Sequence, residues 1–160
     1  MKAEVLPQHQ WLTRLVGEWR YESKCPDPSG AAPQKMTGTE TIRMLGGIWL
    51  LGETRGEMPG GAPMTALITL GFDPDKGRFV GTWIGSMMTE LWNYHNGWLD
   101  DAQKVLTLEA EGPSFDGGGK RAQYRDIVEI VDANHRVLSG NLRGEDGQWT
   151  CFMKWHYTRV

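Results

Sequence analysis

The feature that most constrains this chain is a succession of short segments with period-two alternation, separated by turn residues. About ten such segments follow Gly17, with Thr37–Met44, Arg78–Ser86 and Trp149–Arg159 among the clearest. Alternating side chains point to opposite faces of a strand, so this pattern predicts β-structure. No helix-length segment with a period of 3.6 residues occurs after Val16, and the alternation of strands and helices that builds parallel sheets is missing. Short Gly, Asp, Asn and Pro connections instead predict an antiparallel meander.

The segment before the first strand is predicted to be a short helix. Pro7 suits a first helical turn, where its missing N–H leaves no bond unmade. The apolar residues at helical spacing are Trp11, Leu12, Leu15 and Val16. Gly17 tolerates the positive φ of a helix end, and Trp19 and Tyr21 then share one face of a strand. We expect this helix to cover one end of the strand assembly, and we call it the plug helix.

These elements predict an all-β fold with residues 1–160 in a single domain. A chain of 160 residues is long enough for one sizeable core. We expect a single antiparallel β-barrel of about ten strands, lipocalin-like, with the short N-terminal plug helix, because closure removes exposed sheet edges. A sandwich of two sheets is the alternative.

Charge and cysteine content exclude several classes of protein. Seventeen Lys and Arg face 20 Asp and Glu, for a net charge of −3, so we expect no nucleic-acid partner. No window approaches the roughly 20 apolar residues of a spanning helix, and residues 1–10 show no signal-peptide pattern, so we expect no membrane partner. Cys25 and Cys151 are predicted to be free thiols in a reducing compartment, which favours a cytoplasmic location.

Eight tryptophans and eight methionines are many for this length. They predict either a large aromatic core or an apolar pocket with adaptable walls, since small barrels are filled and larger ones hold a ligand. The predicted wall residues of such a pocket are Trp49, Trp83, Met88, Trp92, Tyr94, Tyr124, Met153 and Tyr157. Catalytic residues cannot be assigned, because no phosphate loop, nucleophile elbow or paired metal-ligand motif occurs. No metal site is predicted from the four scattered histidines.

The ends of the chain resemble the calycin group, which comprises lipocalins, fatty-acid-binding proteins and bacterial relatives. The resemblance is carried by Gly17-Glu18-Trp19 after the helix and by Tyr157-Thr158-Arg159 in the last strand. It implies that Trp19 packs across the closed end of the barrel. It also implies that Arg159 lies against Trp19, and a guanidinium over an indole is a favourable contact.

More of the chain is similar to a bacterial family, the domain of unknown function 1579 family. The matching motifs are His9-Gln10-Trp11-Leu12, Leu15–Trp19, Gly56–Gly60, Leu70–Asp73, Gly81–Met88 and Tyr124-Arg125-Asp126. The resemblance implies a barrel and carries over no catalytic residue. A distant resemblance to nitrobindins, which are haem barrels, rests on the late position of His156. Strand alternation, however, predicts that His156 faces outward.

The function expected from these observations is binding of a small apolar or aromatic molecule inside the barrel. Three alternatives stay open. The barrel could be an isomerase or hydrolase that uses an inward Glu, Tyr or Ser, or a haem protein with His156 as ligand. It could also be a solid barrel that makes an interaction, such as a homodimer.

Overall fold

The computed structural model describes residues 3–25 and 34–160, and these form a closed antiparallel barrel. Ten strands are seen in the described residues: β1 (Gly17–Cys25), β2 (Gln34–Leu45), β3 (Trp49–Glu57), β4 (Pro63–Asp73), β5 (Arg78–Gly85), β6 (Trp92–Leu99), β7 (Val105–Pro113), β8 (Arg121–Asp132), β9 (His135–Arg143) and β10 (Trp149–Arg159). Each strand pairs with its neighbours in sequence, and β1 pairs with β10 to close the ring. The predicted ten-stranded barrel is confirmed, and the sandwich alternative is wrong.

One end of the barrel is covered by the plug helix, as predicted. Helix α1 (Pro7–Leu12) continues into a 3₁₀ turn (Thr13–Leu15), and Gly17 adopts a φ of 131° as β1 begins. Trp11, Leu12 and Leu15 are at most 5% exposed and join the core of the barrel. The Trp11 indole N–H also donates to the Gln103 carbonyl at 2.8 Å, which anchors the helix to the connection before β7. No helix in the described parts of the chain has the length and apolar character needed to cross a membrane.

Trp19 and Arg159 form the predicted contact at this covered end. Trp19 is 2% exposed, and its indole N–H donates to the Leu15 carbonyl at 2.8 Å. The Arg159 guanidinium carbon lies 4.1 Å from the indole centroid. The same guanidinium donates to the carbonyls of Arg14, Val16 and Ala133. One side chain from the last strand therefore holds together the plug, the first strand and the turn between β8 and β9.

Asn96-Gly97, a typical turn sequence, does not turn the chain. Both residues lie within β6, where the register against β5 shifts between Phe79 and Gly81. The Asn96 amide donates to Glu109 on β7 at 2.7 Å, so it stabilises strand pairing. A Cβ on Gly97 would lie 2.7 Å from Leu108 and 2.8 Å from Phe79, so close packing inside the barrel requires this glycine.

Two predicted segment boundaries also differ. The alternation of Met88, Glu90, Trp92 and Tyr94 predicts a sixth strand over Met88–His95, but residues 86–91 form a connection and β6 starts at Trp92. The Pro and Gly residues between Lys24 and Lys35 predict a loop over that whole segment, but β1 reaches Cys25 and β2 starts at Gln34. Its middle, residues 26–33, lies outside the described residues.

We expect Arg159→Ala to lower the free energy of unfolding by about 2 kcal/mol. The variant loses the cation–π contact with Trp19 and leaves backbone carbonyls without a charged donor. Urea denaturation followed by tryptophan emission measures the change. Arg43→Ala, an exposed arginine on β2, is the control and should shift stability by less than about 0.5 kcal/mol. Equal effects of the two substitutions would show that Arg159 does not hold the covered end together.

Candidate functional site

Six of the eight predicted wall residues lie on the inner face of the barrel: Trp83, Trp92, Tyr94, Tyr124, Met153 and Tyr157. The three tyrosines are at most 4% exposed, and the two tryptophans pack partly buried against the core. Met153 pairs with Gly140, and its methyl group lies 3.1 Å from the position of a Cβ there. Their role in ligand binding stays a prediction.

The other two predicted wall residues lie elsewhere. Trp49 is 39% exposed, and its ring covers the outer side of Gly71, while its neighbour Leu50 faces the core at 1% exposure. The placement of Trp49 in the wall is therefore corrected, because the alternation of β3 runs opposite to the face that was expected. Met88 is 43% exposed in the connection between β5 and β6, and its sulfur accepts the Trp92 indole N–H at 3.1 Å. It lies at the rim of the interior.

Inward glycines make room for aromatic rings in the half of the barrel away from α1, which we call the far half. The Trp92 ring lies 2.2 Å from where a Cβ on Gly112 would stand. The Trp83 ring lies 2.5 Å from the corresponding position at Gly85. Each ring thus occupies the space that a side chain would take, so the rings of the far half lie directly against the sheet.

Tyr21 and Trp155 extend this aromatic lining around the barrel. Their rings stack at 4.6 Å with an interplanar angle of 9°. The Tyr21 hydroxyl takes the Cβ space of Gly38 and Gly56. Neither the Tyr21 hydroxyl nor the Trp155 indole N–H, both buried, has a hydrogen-bond partner in the described part of the chain. Sequence reasoning did not include these two residues in the predicted wall.

A carboxylate lies among these rings. Asp126 follows Tyr124 and precedes Val128 on the inner face of β8, and its Oδ2 accepts the Tyr94 hydroxyl at 2.5 Å. Burial raises the pKa of Asp126 from its ordinary 3.8 to about 6, and the Tyr94 hydrogen bond partly opposes that rise. Burial, and then the nearby Asp126 charge, raises the pKa of Tyr94 well above its ordinary value. Tyr94 therefore stays a hydrogen-bond donor at neutral pH.

Closer to the plug, a second carboxylate is paired. Glu40 on β2 and Arg136 on β9 are both buried and form a salt bridge, and Thr54 donates to Glu40 at 3.2 Å. The Arg136 guanidinium carbon also lies 3.7 Å from the Tyr157 ring centroid and 4.8 Å from that of Trp19. Glu40 and two aromatic faces thus compensate the positive charge of Arg136, and its buried Nε has no hydrogen-bond partner among the described residues.

Three inward residues near the middle of the barrel keep part of their surface accessible. Ile68 and Leu138 face inward at mid-height and are only partly buried, although Ala66 and Leu70, on the same face of β4 as Ile68, are 4% and 1% exposed. Asp126 is also only partly buried, and no described group donates to its Oδ1. An inward residue that retains accessible surface borders a space that water reaches. We infer such a space between Ile68, Asp126 and Leu138.

The histidines lie outside this space. His156 is exposed on the outer face of β10 and borders a surface groove of about 480 Å³ together with Arg20 and Glu22. His95 and His135 are exposed, and His9 is buried in α1, where its ring nitrogens bond to Leu6 N–H and the Phe72 carbonyl. Within residues 3–25 and 34–160, no group of three His, Cys, Asp or Glu side chains is arranged to hold a metal ion.

Sequence reasoning missed Glu40, Asp126 and Arg136 as inward charges. A usable signal was present, because each lies two positions from an apolar residue on the same strand face: Ile42, Val128 and Leu138. A charge within an otherwise apolar face is expensive to bury and therefore informative.

The sequence matches the model of a family described as protein of unknown function (DUF1579) over residues 4–159. Among curated proteins, none matches this chain. One similar solved structure is the crystal structure of Rv2717c from M. tuberculosis, with 15% identity and a TM-score of 0.64. The match covers 98% of this chain and 99% of that one.

A second similar structure is EF1p2_mFAP2b bound to DFHBI, with 10% identity and a TM-score of 0.50. The match covers 96% of this chain and 99% of that one. At such identities these likenesses show the fold alone.

The raised pKa of Asp126 predicts how one substitution changes the pH dependence of stability. Folded Asp126 holds its proton to higher pH than unfolded Asp126, so its ionisation lowers the free energy of unfolding as pH rises through about 4 to 6. Asp126→Asn removes this loss and keeps an acceptor for Tyr94. Relative to the native protein, the variant should gain about 2 kcal/mol between pH 4.5 and pH 7.5.

Urea denaturation at both pH values measures this gain. Glu129→Gln, an exposed acid three residues further along β8, is the control and should show no such gain. A parallel pH dependence of the Asp126→Asn variant and the native protein would contradict the burial of Asp126.

Proposed function

The chain belongs to the DUF1579 family, and we propose that its barrel binds a small, largely aromatic molecule in the far half of its interior. The observation that carries this proposal is that Ile68, Asp126 and Leu138 face inward and yet are only partly buried. Binding pockets for small molecules combine an apolar, aromatic lining with a few convergent polar groups, which is the composition found here.

The lining suits a flat ligand. Rings held against the sheet over Gly85 and Gly112 present broad apolar surfaces, and offset or edge contacts with a ligand ring are favourable. The buried Tyr21 hydroxyl and Trp155 indole N–H have no described partner, and a buried polar group left unpaired costs about 1–3 kcal/mol. Both atoms lack accessible surface, so this cost stays with the fold.

The likeness to EF1p2_mFAP2b supports the proposal at the level of architecture. That protein is a barrel of similar fold and was solved with a small molecule, DFHBI, bound to it. A closed barrel of this length is thus compatible with holding a compact guest. The kind of ligand that this protein binds has to be inferred from its own residues.

Nile red, an uncharged dye that brightens in apolar surroundings, tests for the pocket. The native protein should raise and blue-shift its emission, and a competing fatty acid, retinoid or porphyrin that binds should reverse the change. Leu138→Trp fills the inferred space and should abolish the effect. Val137→Trp adds the same bulk to the outer face of the same strand and should leave dye binding within about twofold.

Far-ultraviolet circular dichroism and melting curves confirm that both variants fold. The dye's own emission is the signal, so the added tryptophan does not disturb the comparison. If the native protein leaves Nile red dark, or if Leu138→Trp binds it as well as Val137→Trp, the interior of the barrel is not the binding site.

Acid–base catalysis is the second candidate function, favoured by one contact. A carboxylate beside a tyrosine hydroxyl is suited to general acid–base catalysis, and Asp126 Oδ2 accepts the Tyr94 hydroxyl at 2.5 Å. With a pKa of about 6, Asp126 is ionised at neutral pH and is a stronger base than an ordinary aspartate. In this reaction Asp126 takes a proton from the carbon next to a ketone carbonyl and returns it two carbons away, while a tyrosine hydroxyl donates to the enolate oxygen.

Isomerisation of 3-cyclohexenone to the conjugated 2-cyclohexenone tests this candidate, since conjugation gives the product a strong short-wavelength ultraviolet band that the starting ketone lacks. The native protein should accelerate the reaction above the buffer rate, and Asp126→Asn should lose that acceleration about 100-fold. Glu129→Gln should retain it. Rates equal to buffer with the native protein would remove this candidate and leave ligand binding as the function.

A further inference from the structure

The charges on the inner face of the barrel do not balance. The described inward residues include three charged side chains, Glu40, Asp126 and Arg136. Arg136 forms a buried salt bridge with Glu40. Arg159 lies beyond Trp19 at the covered end and is bonded to backbone carbonyls. Asp126 has only the hydroxyl of Tyr94, which is neutral, so the interior carries one uncompensated negative charge at neutral pH.

The free oxygen of Asp126 borders the accessible space. Oδ2 is occupied by Tyr94, whereas Oδ1 receives no hydrogen bond from any described group. The Tyr157 hydroxyl also has no described partner, and its ring lies on the inner face at 2% exposure. A carboxylate oxygen accepts hydrogen bonds and cannot donate them when ionised, so it selects for an N–H or O–H donor on the ligand.

The aromatic lining also favours a positively charged ligand. The faces of Trp and Tyr rings carry negative electrostatic potential and attract ammonium and guanidinium groups. The barrel already uses this effect, because Arg136 is stacked on Tyr157 and Trp19. An anionic ligand would meet repulsion from both Asp126 and the ring faces, and a neutral one would leave the Asp126 charge unpaired.

We propose that the ligand is a small aromatic amine, whose protonated nitrogen bonds to Asp126 Oδ1 and whose ring lies among the aromatic side chains of the far half. This inference rests on the proposed binding function and names the chemical class of the ligand. It separates this barrel from carriers of fatty acids, whose carboxylate requires a cationic partner. Here the one inward guanidinium among the described residues is already paired with Glu40.

Three probes of matched shape test the inference: 1-naphthylmethylamine, 1-naphthalenemethanol and 1-naphthoic acid, which are cationic, neutral and anionic at pH 8. Isothermal titration calorimetry with the native protein should show the amine binding about 10- to 100-fold more tightly than the alcohol, with the acid weakest. Asp126→Asn should reduce the preference for the amine over the alcohol to less than about threefold. Glu129→Gln should keep it.

A pH series supplies a second measurement that needs no variant. Between pH 8 and pH 5 the amine stays protonated while Asp126 gains its proton, so the preference should fall about tenfold. The other groups facing Asp126 are Tyr94 and Tyr157, whose pKa values are raised and which stay neutral over this range, and the Glu40–Arg136 pair nearer the plug.

The outcomes separate the two proposals. If the alcohol or the acid binds as tightly as the amine, or if Asp126→Asn keeps the preference, the inferred ligand class is wrong while binding in the barrel stands. If none of the three probes binds but Nile red does, the ligand class is again wrong. If neither the probes nor Nile red bind, both the ligand class and the binding function fail.

Discussion

Closure of the sheet by the pairing of β1 with β10 is the constraint on which the rest of the structure depends. Five residue pairs, from Trp19–Arg159 to Ser23–Trp155, join the two ends of the sequence and leave no edge strand. Closure also gives every strand an outer face and an inner face, and it limits the volume that the inward side chains can fill. Tyr157, Tyr21 and Trp19 come together inside only because this last pairing forms. The contact of Arg159 with Trp19 secures the pairing where the plug meets it.

Much of this architecture could be predicted because it depends on local patterns. Alternation in each strand, the helix before Gly17 and the Trp19–Arg159 contact are encoded by neighbouring residues or by a resemblance confined to the two ends of the chain. The errors arose where tertiary packing overrides a local signal. Asn96-Gly97 is typical of a turn, yet the space between Phe79 and Leu108 requires a glycine within a strand. Trp49 was assigned to the wrong face because the sequence does not specify which side of β3 faces inward.

The candidate site was predicted in its aromatic part and missed in its charged part, for a physical reason. Aromatic and Met residues are abundant in strands, so choosing among them by composition finds most of the lining. Glu40, Asp126 and Arg136 look like ordinary surface charges in a list of strand residues. Only the closed ring shows that Glu40 meets Arg136 from a strand 96 positions away in sequence, and that Tyr94 reaches Asp126 across 32 positions. Such long-range pairs are invisible to any window along the chain.

The two inward carboxylates, Glu40 and Asp126, differ in how completely the protein pairs them. Glu40 is fully compensated: a guanidinium and a hydroxyl bond to it, and rings cover its partner. The pair links β2 to β9, which are not neighbours in the sheet, across the interior of the barrel. Asp126 accepts a hydrogen bond only from the neutral Tyr94 hydroxyl, and no described group donates to its Oδ1. Its ionisation therefore lowers the free energy of unfolding. This half-satisfied carboxylate and its open Oδ1 are therefore the features on which the proposed ligand site depends.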